Sequence, residues 1–176
     1  MATTNKPVSA ELEALSAVLG TDASELIDPT VARAWIALLT AYGRVTRALS
    51  SELMDASGLS LADFDVLAQL ARSDQYKLRM SELADAVLIS KSGLTRRIDR
   101  LAINGWVTRR RCTEDGRVHW ATLTPLGLRT FKAVAPTHLA AVAERFGAAL
   151  PTSEMERLTR DLLKIAAKNA EQPTRI

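Results

Sequence analysis

Apolar residues recur at helical spacing along most of the chain, and the pattern changes to alternation in one short stretch. In "TVARAWIALLTAYGRVTRALSSELMDASG" the apolar positions are Val31, Trp35, Leu38, Leu39, Tyr42, Val45, Leu49 and Leu53. Steps of three and four over roughly seven turns predict one long helix, with Pro29 in its first turn and Gly58 at its end. So long a helix has more apolar surface than a small lobe can cover, so part of it is expected to pack on a partner chain. Upstream, "SAELEALSAVLG" predicts a short amphipathic helix opened by Ser9 and closed by Gly20.

Three shorter helical patterns follow. "SLADFDVLAQLARS" starts at Ser60 as N-cap, with Asp63 three residues on as in a capping box, and buries Phe64, Leu67 and Leu70. "MSELADAVLIS" has Ser81 as its expected cap and Leu83, Ala84 and Val87 on one face. "SKSGLTRRIDRLAINGW" runs from Ser90 to Gly105, the expected left-handed C-terminal cap. The period then falls to two. "WVTRRRCTEDGRVHWATL" places β-branched and aromatic residues on either side of Asp115-Gly116, a hairpin dipeptide. A long helix follows, capped by Thr124 and started by Pro125, with a kink or break expected at Pro136. A last helix begins near Pro151 and buries Met155, Leu158, Leu162 and Ile165.

This order predicts a mainly α fold with a small β-wing: a winged helix-turn-helix with long dimerisation helices. The expected organisation is an N-terminal leader or arm at 1–30, a dimerisation helix at 31–58, a winged DNA-binding lobe at 59–124, and C-terminal dimerisation helices at 125–172.

Charge sharpens the picture. The 176 residues carry a net charge of +3. Between 91 and 117 stand eight basic residues and three acidic ones, a local +5, so the remainder sums to −2. Localised positive charge is how a nucleic-acid footprint looks; a solvated basic face is the alternative reading. Ala, Leu and Arg are plentiful and aromatics scarce, which favours helices over a sandwich. The N-terminus lacks the pattern of a signal peptide, and "VARAWIALLTAYGRV" is interrupted by Arg33 and Arg44 and is too short to span a bilayer. A cytoplasmic, nucleoid-associated protein with no membrane role is expected. One cysteine, Cys112, allows no intrachain disulfide, and His119 and His138 complete no metal-ligand spacing with it. Neither a metal nor another cofactor is expected.

The helix at 90–105 carries the candidate chemistry. Leu94, Ile98 and Leu101 share one face, leaving Lys91, Ser92, Thr95, Arg96 and Asp99 opposite. Arg binds guanine edges bidentately, and Ser or Thr donates to bases or phosphates, so this face suits a major groove. Gly93 weakens a helix by about 1 kcal/mol against Ala, and its small size suggests close approach to a backbone. At the hairpin tip Arg117 suits a narrow minor groove, oriented by Asp115. Arg109, Arg110 and Arg111 alternate faces, so at least one is expected on phosphates. The DNA-contact candidates are Ser90, Lys91, Ser92, Thr95, Arg96, Arg97, Arg100, Arg109, Arg111, Asp115 and Arg117.

"LISKSGLTRRIDRLAINGWVTRRRCTEDGRVHWATLTPLG" closely resembles the MarR family of transcriptional regulators. The pattern is a recognition helix leading to Gly105, an Arg-bearing strand with Arg109, then Asp115 and Arg117, with Leu123, Thr124 and Gly127 downstream. The resemblance spans about 31–170, with its specific residues in 81–127. It implies a triangular homodimer in which terminal helices of both chains interleave and two winged lobes meet a pseudo-palindromic site on double-stranded DNA.

The resemblance also implies a repressor released by a small aromatic or phenolic ligand. Trp35, Leu39 and Tyr42, with His138, are the candidate lining of such a cleft; Trp35 and Tyr42 also read as dimer core. A redox-responsive regulator using Cys112, beside three arginines that favour its thiolate, is an alternative. So is a protein-interaction module that kept the winged fold. An enzyme is not expected: the chain has no Gly-rich phosphate loop, no G-x-S-x-G elbow and no nucleophile–His–carboxylate set.

Overall fold

Capping side chains set most of the helix boundaries. The computed structural model describes residues 8–111 and 118–170. Helices α1 (Val8–Leu19) and α2 (Ala23–Leu26) precede α3 (Pro29–Ser57). The Asp28 carboxylate accepts from the amides of Thr30 (2.7 Å) and Val31 (3.3 Å), closing the start of α3 just before Pro29. The chain divides into two compact units between Arg47 and Ala48, inside α3. In the first, Trp35, Leu39 and Tyr42 stand on an exposed face of the helix.

The second unit holds α4 (Leu61–Arg72), β1 (Lys77–Arg79), α5 (Met80–Ala86), α6 (Lys91–Ile103), β2 (Val107–Arg111), β3 (His119–Leu123), α7 (Pro125–Arg145) and α8 (Thr152–Ala170). Its core is built from the apolar stripes of α4, α5 and α6, sealed by one face of the sheet. Leu67, Leu70, Leu83, Leu94, Ile98 and Leu101 are fully buried, and Val107 and Ala121 meet them from the strands. The sheet is three-stranded and antiparallel in the order β1-β3-β2. The hairpin expected around Asp115-Gly116 accounts for two of these strands, β2 and β3. The added strand, Lys77–Arg79, is only three residues long, too short for a period of two to register.

Three further expectations are corrected. Ser81 does not cap α5; the helix starts at Met80, and the Glu82 carboxylate accepts from the Arg79 amide (3.0 Å). Of the kink or break expected at Pro136, the break does not occur, and α7 continues to Arg145. Pro136 and Lys132, whose carbonyl loses its helical donor, are both exposed, so water can take the donor's place. On α8, Met155, Leu158 and Leu162 are half-buried rather than buried, and Ile165 is exposed.

Candidate nucleic-acid interface

Ser90 starts α6 by accepting from the Gly93 amide (3.1 Å). A Cβ on Gly93 would sit 3.1 Å from Ser90 Oγ. The small residue therefore makes room for the cap itself, a local reason that sequence spacing does not reveal. The helix ends in a Schellman motif. Trp106 donates its amide to Leu101 and Gly105 to Ala102, with Gly105 at φ +72° where a side chain is disfavoured. Between these ends Leu94, Ile98 and Leu101 face the core, while Lys91, Ser92 and Arg96 are exposed. Thr95 is half-buried, and its hydroxyl donates to the Lys91 carbonyl (3.0 Å).

Arg97 and Arg100 sit differently from that face. Both guanidinium groups turn to Asp63 on α4, at 2.8 Å from Arg97 and 2.6 Å from Arg100. Arg97 also donates to Ser60 Oγ (3.4 Å). Asp63 is buried, with its amide held by Ser60 Oγ (3.1 Å). Burial pushes its carboxyl pKa up. Hydrogen bonds from Ser60, Arg100 and Arg97 together outweigh that and hold it below the ordinary carboxylate value. Thus Ser60 caps α4 as expected, but the Asp63 carboxylate does not reach back to close a capping box; it locks α6 onto α4 instead.

The wing root stands beside α6. Cross-strand pairs put Arg109 opposite Ala121 and Arg111 opposite His119, on the core-side face. Arg109 reaches Asp99 of α6 at 3.7 Å, the kind of acid partner expected for part of the arginine run. An open cleft of about 280 Å³ separates the start of α6 from the wing, lined by Arg79, Lys91, Thr95, Arg109 and His119 among others. Arg79 is the cation that periodicity missed, because it belongs to the short third strand. Cys112, Asp115, Gly116 and Arg117 lie outside the described residues.

His138 and the three other ligand candidates fall in different units. His138 packs at a 50° tilt against Phe64 (ring centroids 4.3 Å apart), and its Nδ1 is buried without a hydrogen-bond partner. Burial lowers its pKa, an effect that nearby Asp65 opposes. It lines a cavity of about 90 Å³ with Leu49, Leu53, Ser57 and Val134. Among the described residues no His, Cys, Asp and Glu group is placed to hold a metal ion. No described helix is long and apolar enough to cross a membrane.

A family model described as MarR family matches residues 57–118. The fold resembles that of AbsC, a MarR family transcriptional regulator from Streptomyces coelicolor. The two are 33% identical, with a TM-score of 0.76 over 83% of this chain and 98% of AbsC. It also resembles Sco3205, a MarR family transcriptional regulator from the same organism whose structure is of a complex with DNA. Here identity is 30% and the TM-score 0.73, over 80% of this chain and 87% of that one. The transcriptional repressor MprA of Escherichia coli K12 is 28% identical over 115 residues, 64% of this chain and 65% of MprA.

Proposed function

Since the chain belongs to the MarR family of DNA-binding transcriptional regulators, whose members are not enzymes, we propose that it is a homodimeric repressor released from a pseudo-palindromic operator by a small aromatic ligand. The observation that carries the DNA part is the outer face of α6. Lys91 and Arg96 are exposed there and form no ion pair among the described residues, and Arg109 stands across an open cleft. Lys91 and Arg109 reach phosphates, while Ser92, Thr95 and Arg96 read base edges. Ser90 orders the helix end, and Arg111 and Arg117 extend the contact along the wing into the minor groove, with Asp115 orienting Arg117. Arg97 and Arg100 act through Asp63 as positioning residues. The dimer rests on apolar residues exposed on the terminal helices, among them Trp35, Leu39 and Tyr42 on α3 and Leu163 and Ile165 on α8. The limits 31–58 and 125–172 for the dimerisation helices, 59–124 for the DNA-binding lobe and 1–30 for an arm belong to the same proposal. Repression matches what the name of MprA says of that relative.

Selection of bound sites from a random DNA pool tests the reading. The parent protein is expected to enrich a two-fold symmetric site, and its affinity to fall steeply with salt. Arg96→Ala is expected to relax preference at one base position per half-site, a loss of about 1–3 kcal/mol of discrimination. Arg117→Ala is expected to weaken binding to many sequences alike. If both variants select and bind as the parent does, this assignment of roles is wrong.

The effector part rests on His138. Its buried, unpartnered Nδ1 beside Phe64, at a small and mostly apolar cavity, suits a phenolic or other small aromatic ligand. Titration with a panel of such compounds is expected to lower DNA affinity for at least one. His138→Leu is expected to abolish that response while leaving ligand-free DNA binding intact. A response unchanged in His138→Leu would move the effector site elsewhere.

A further inference from the structure

The sheet has a second face that neither the core nor the recognition helix uses. Antiparallel partners share a face, and the register places Lys77, Thr122 and Thr108 in one row and Arg79, Trp120 and Arg110 in the next. Leu78, Ala121, Leu123 and Val107 take the opposite, core side. The outer face therefore consists of three cations, two hydroxyls and one large aromatic ring.

Trp120 organises these cations. Lys77 Nζ lies 4.2 Å from its ring centroid and Arg79 Cζ lies 5.4 Å away. Cation–π attraction holds both head groups over the sheet, so part of their ordering cost is met before any ligand arrives. Little opposes their charge. Arg79 has a long 3.8 Å contact with Glu82, and Lys77 and Arg110 have no ion pair among the described residues. The face opens into a broad depression of about 470 Å³ lined by Gln75, Lys77, Thr108, Arg110, Arg111, Trp120 and Thr122. Arg79 also lines the cleft between α6 and the wing. The cationic surface is thus continuous from the recognition helix around the sheet edge.

We propose that this outer face is a second DNA-backbone contact, taking the phosphate strand on the far side of the minor groove that the wing enters. The inference rests on the DNA-binding reading above. A minor groove has a backbone on each side, so a wing whose tip enters it carries the two faces of the sheet behind the tip toward different strands. Arg109 belongs to the near side, on the face toward α6, whereas Arg111, at the end of β2, lines the outer depression. Lys77 and Arg110 supply charge to the far side, and the Thr108 and Thr122 hydroxyls supply donors of the kind phosphates accept.

The test uses the full chain, its selected operator and two duplexes. One duplex ends at the base pairs the wing reaches; the other extends about one helical turn, 10 base pairs, further on each side. The parent is expected to bind the longer duplex more tightly. Lys77→Gln with Arg110→Gln is expected to erase that advantage while leaving short-duplex affinity unchanged. The salt slope on the long duplex should fall by about 0.9 per lost phosphate contact, about 3.6 for the four cations of a dimer. Lys77→Arg should keep the parent behaviour. Circular dichroism confirms folding, and both substituted side chains are on the surface.

A double variant that keeps the length advantage and slope overturns the proposal and leaves the face to an acidic protein partner. Equal loss on both duplexes also overturns it. If the parent binds the short duplex but gains nothing from length, this inference alone fails. If the parent binds neither duplex, the DNA-binding reading fails first.

Discussion

Gly127→Ala is expected to destabilise the protein by at least about 3 kcal/mol, the upper end for forcing atoms into packed space. A Cβ at this position would overlap the Trp106 carbonyl oxygen and stand 2.9 Å from its carbon and 2.8 Å from Leu123 Cδ1. The obstacle is backbone and cannot rotate away. It is also tied in place, because the same carbonyl accepts from the Thr124 amide (2.9 Å), and the Thr124 hydroxyl donates to the adjoining Gly105 carbonyl (2.7 Å). Thr124 in turn caps α7 through the Gly127 amide (2.9 Å). One added methyl therefore presses on the end of α6, the root of β3 and the start of α7 together. Thermal unfolding at fixed protein concentration should show a midpoint lowered by roughly 6–12 °C. Gly93→Ala is the contrast: its Cβ meets only Ser90 Oγ at 3.1 Å, and the change should stay within about 1 kcal/mol of the parent. Equal midpoints for Gly127→Ala and the parent would show that this junction yields more easily than its geometry implies.

The same junction shows what sequence could and could not convey. Ser60, Ser90, Thr124 and Gly105 were legible because a cap is settled by three or four neighbouring residues. The buried faces of α4 and α6 were legible because their period is the helix's own. Ser81 misleads because the acid at the next position, Glu82, closes the capping turn two residues earlier, at Arg79. The third strand escaped because Lys77–Arg79 becomes a strand only by pairing with Trp120–Thr122, more than forty residues on. Trp120 reads as one more strand aromatic until that pairing brings Lys77 and Arg79 over its ring. Arg97 and Arg100 carried the same lesson in charge. Alone they look like part of a basic face, and only the fold reveals the carboxylate that receives them.

That carboxylate supplies the second large effect. Asp63→Asn is expected to cost about 3 kcal/mol, the lower end for removing one partner of a buried pair, because Arg100 is half exposed and can rehydrate. Arg97, more deeply placed, is left with a poorer acceptor. Unlike Gly127→Ala, this change also releases the helix that carries Lys91 and Arg96, so DNA affinity should fall further than stability alone explains. A folded variant, verified at low temperature, should still bind its operator more weakly than the parent. The pH dependence gives an independent check. The folded-state pKa of Asp63 lies below its ordinary 3.8, so the ionised group contributes stability that is fully present above that value. This contribution is lost as pH falls from there through the depressed folded value. Acid unfolding of the parent should therefore steepen below about pH 4, and Asp63→Asn should lack that component. If the two proteins lose stability in parallel over this range, the lock between α4 and α6 does not contribute as its distances indicate.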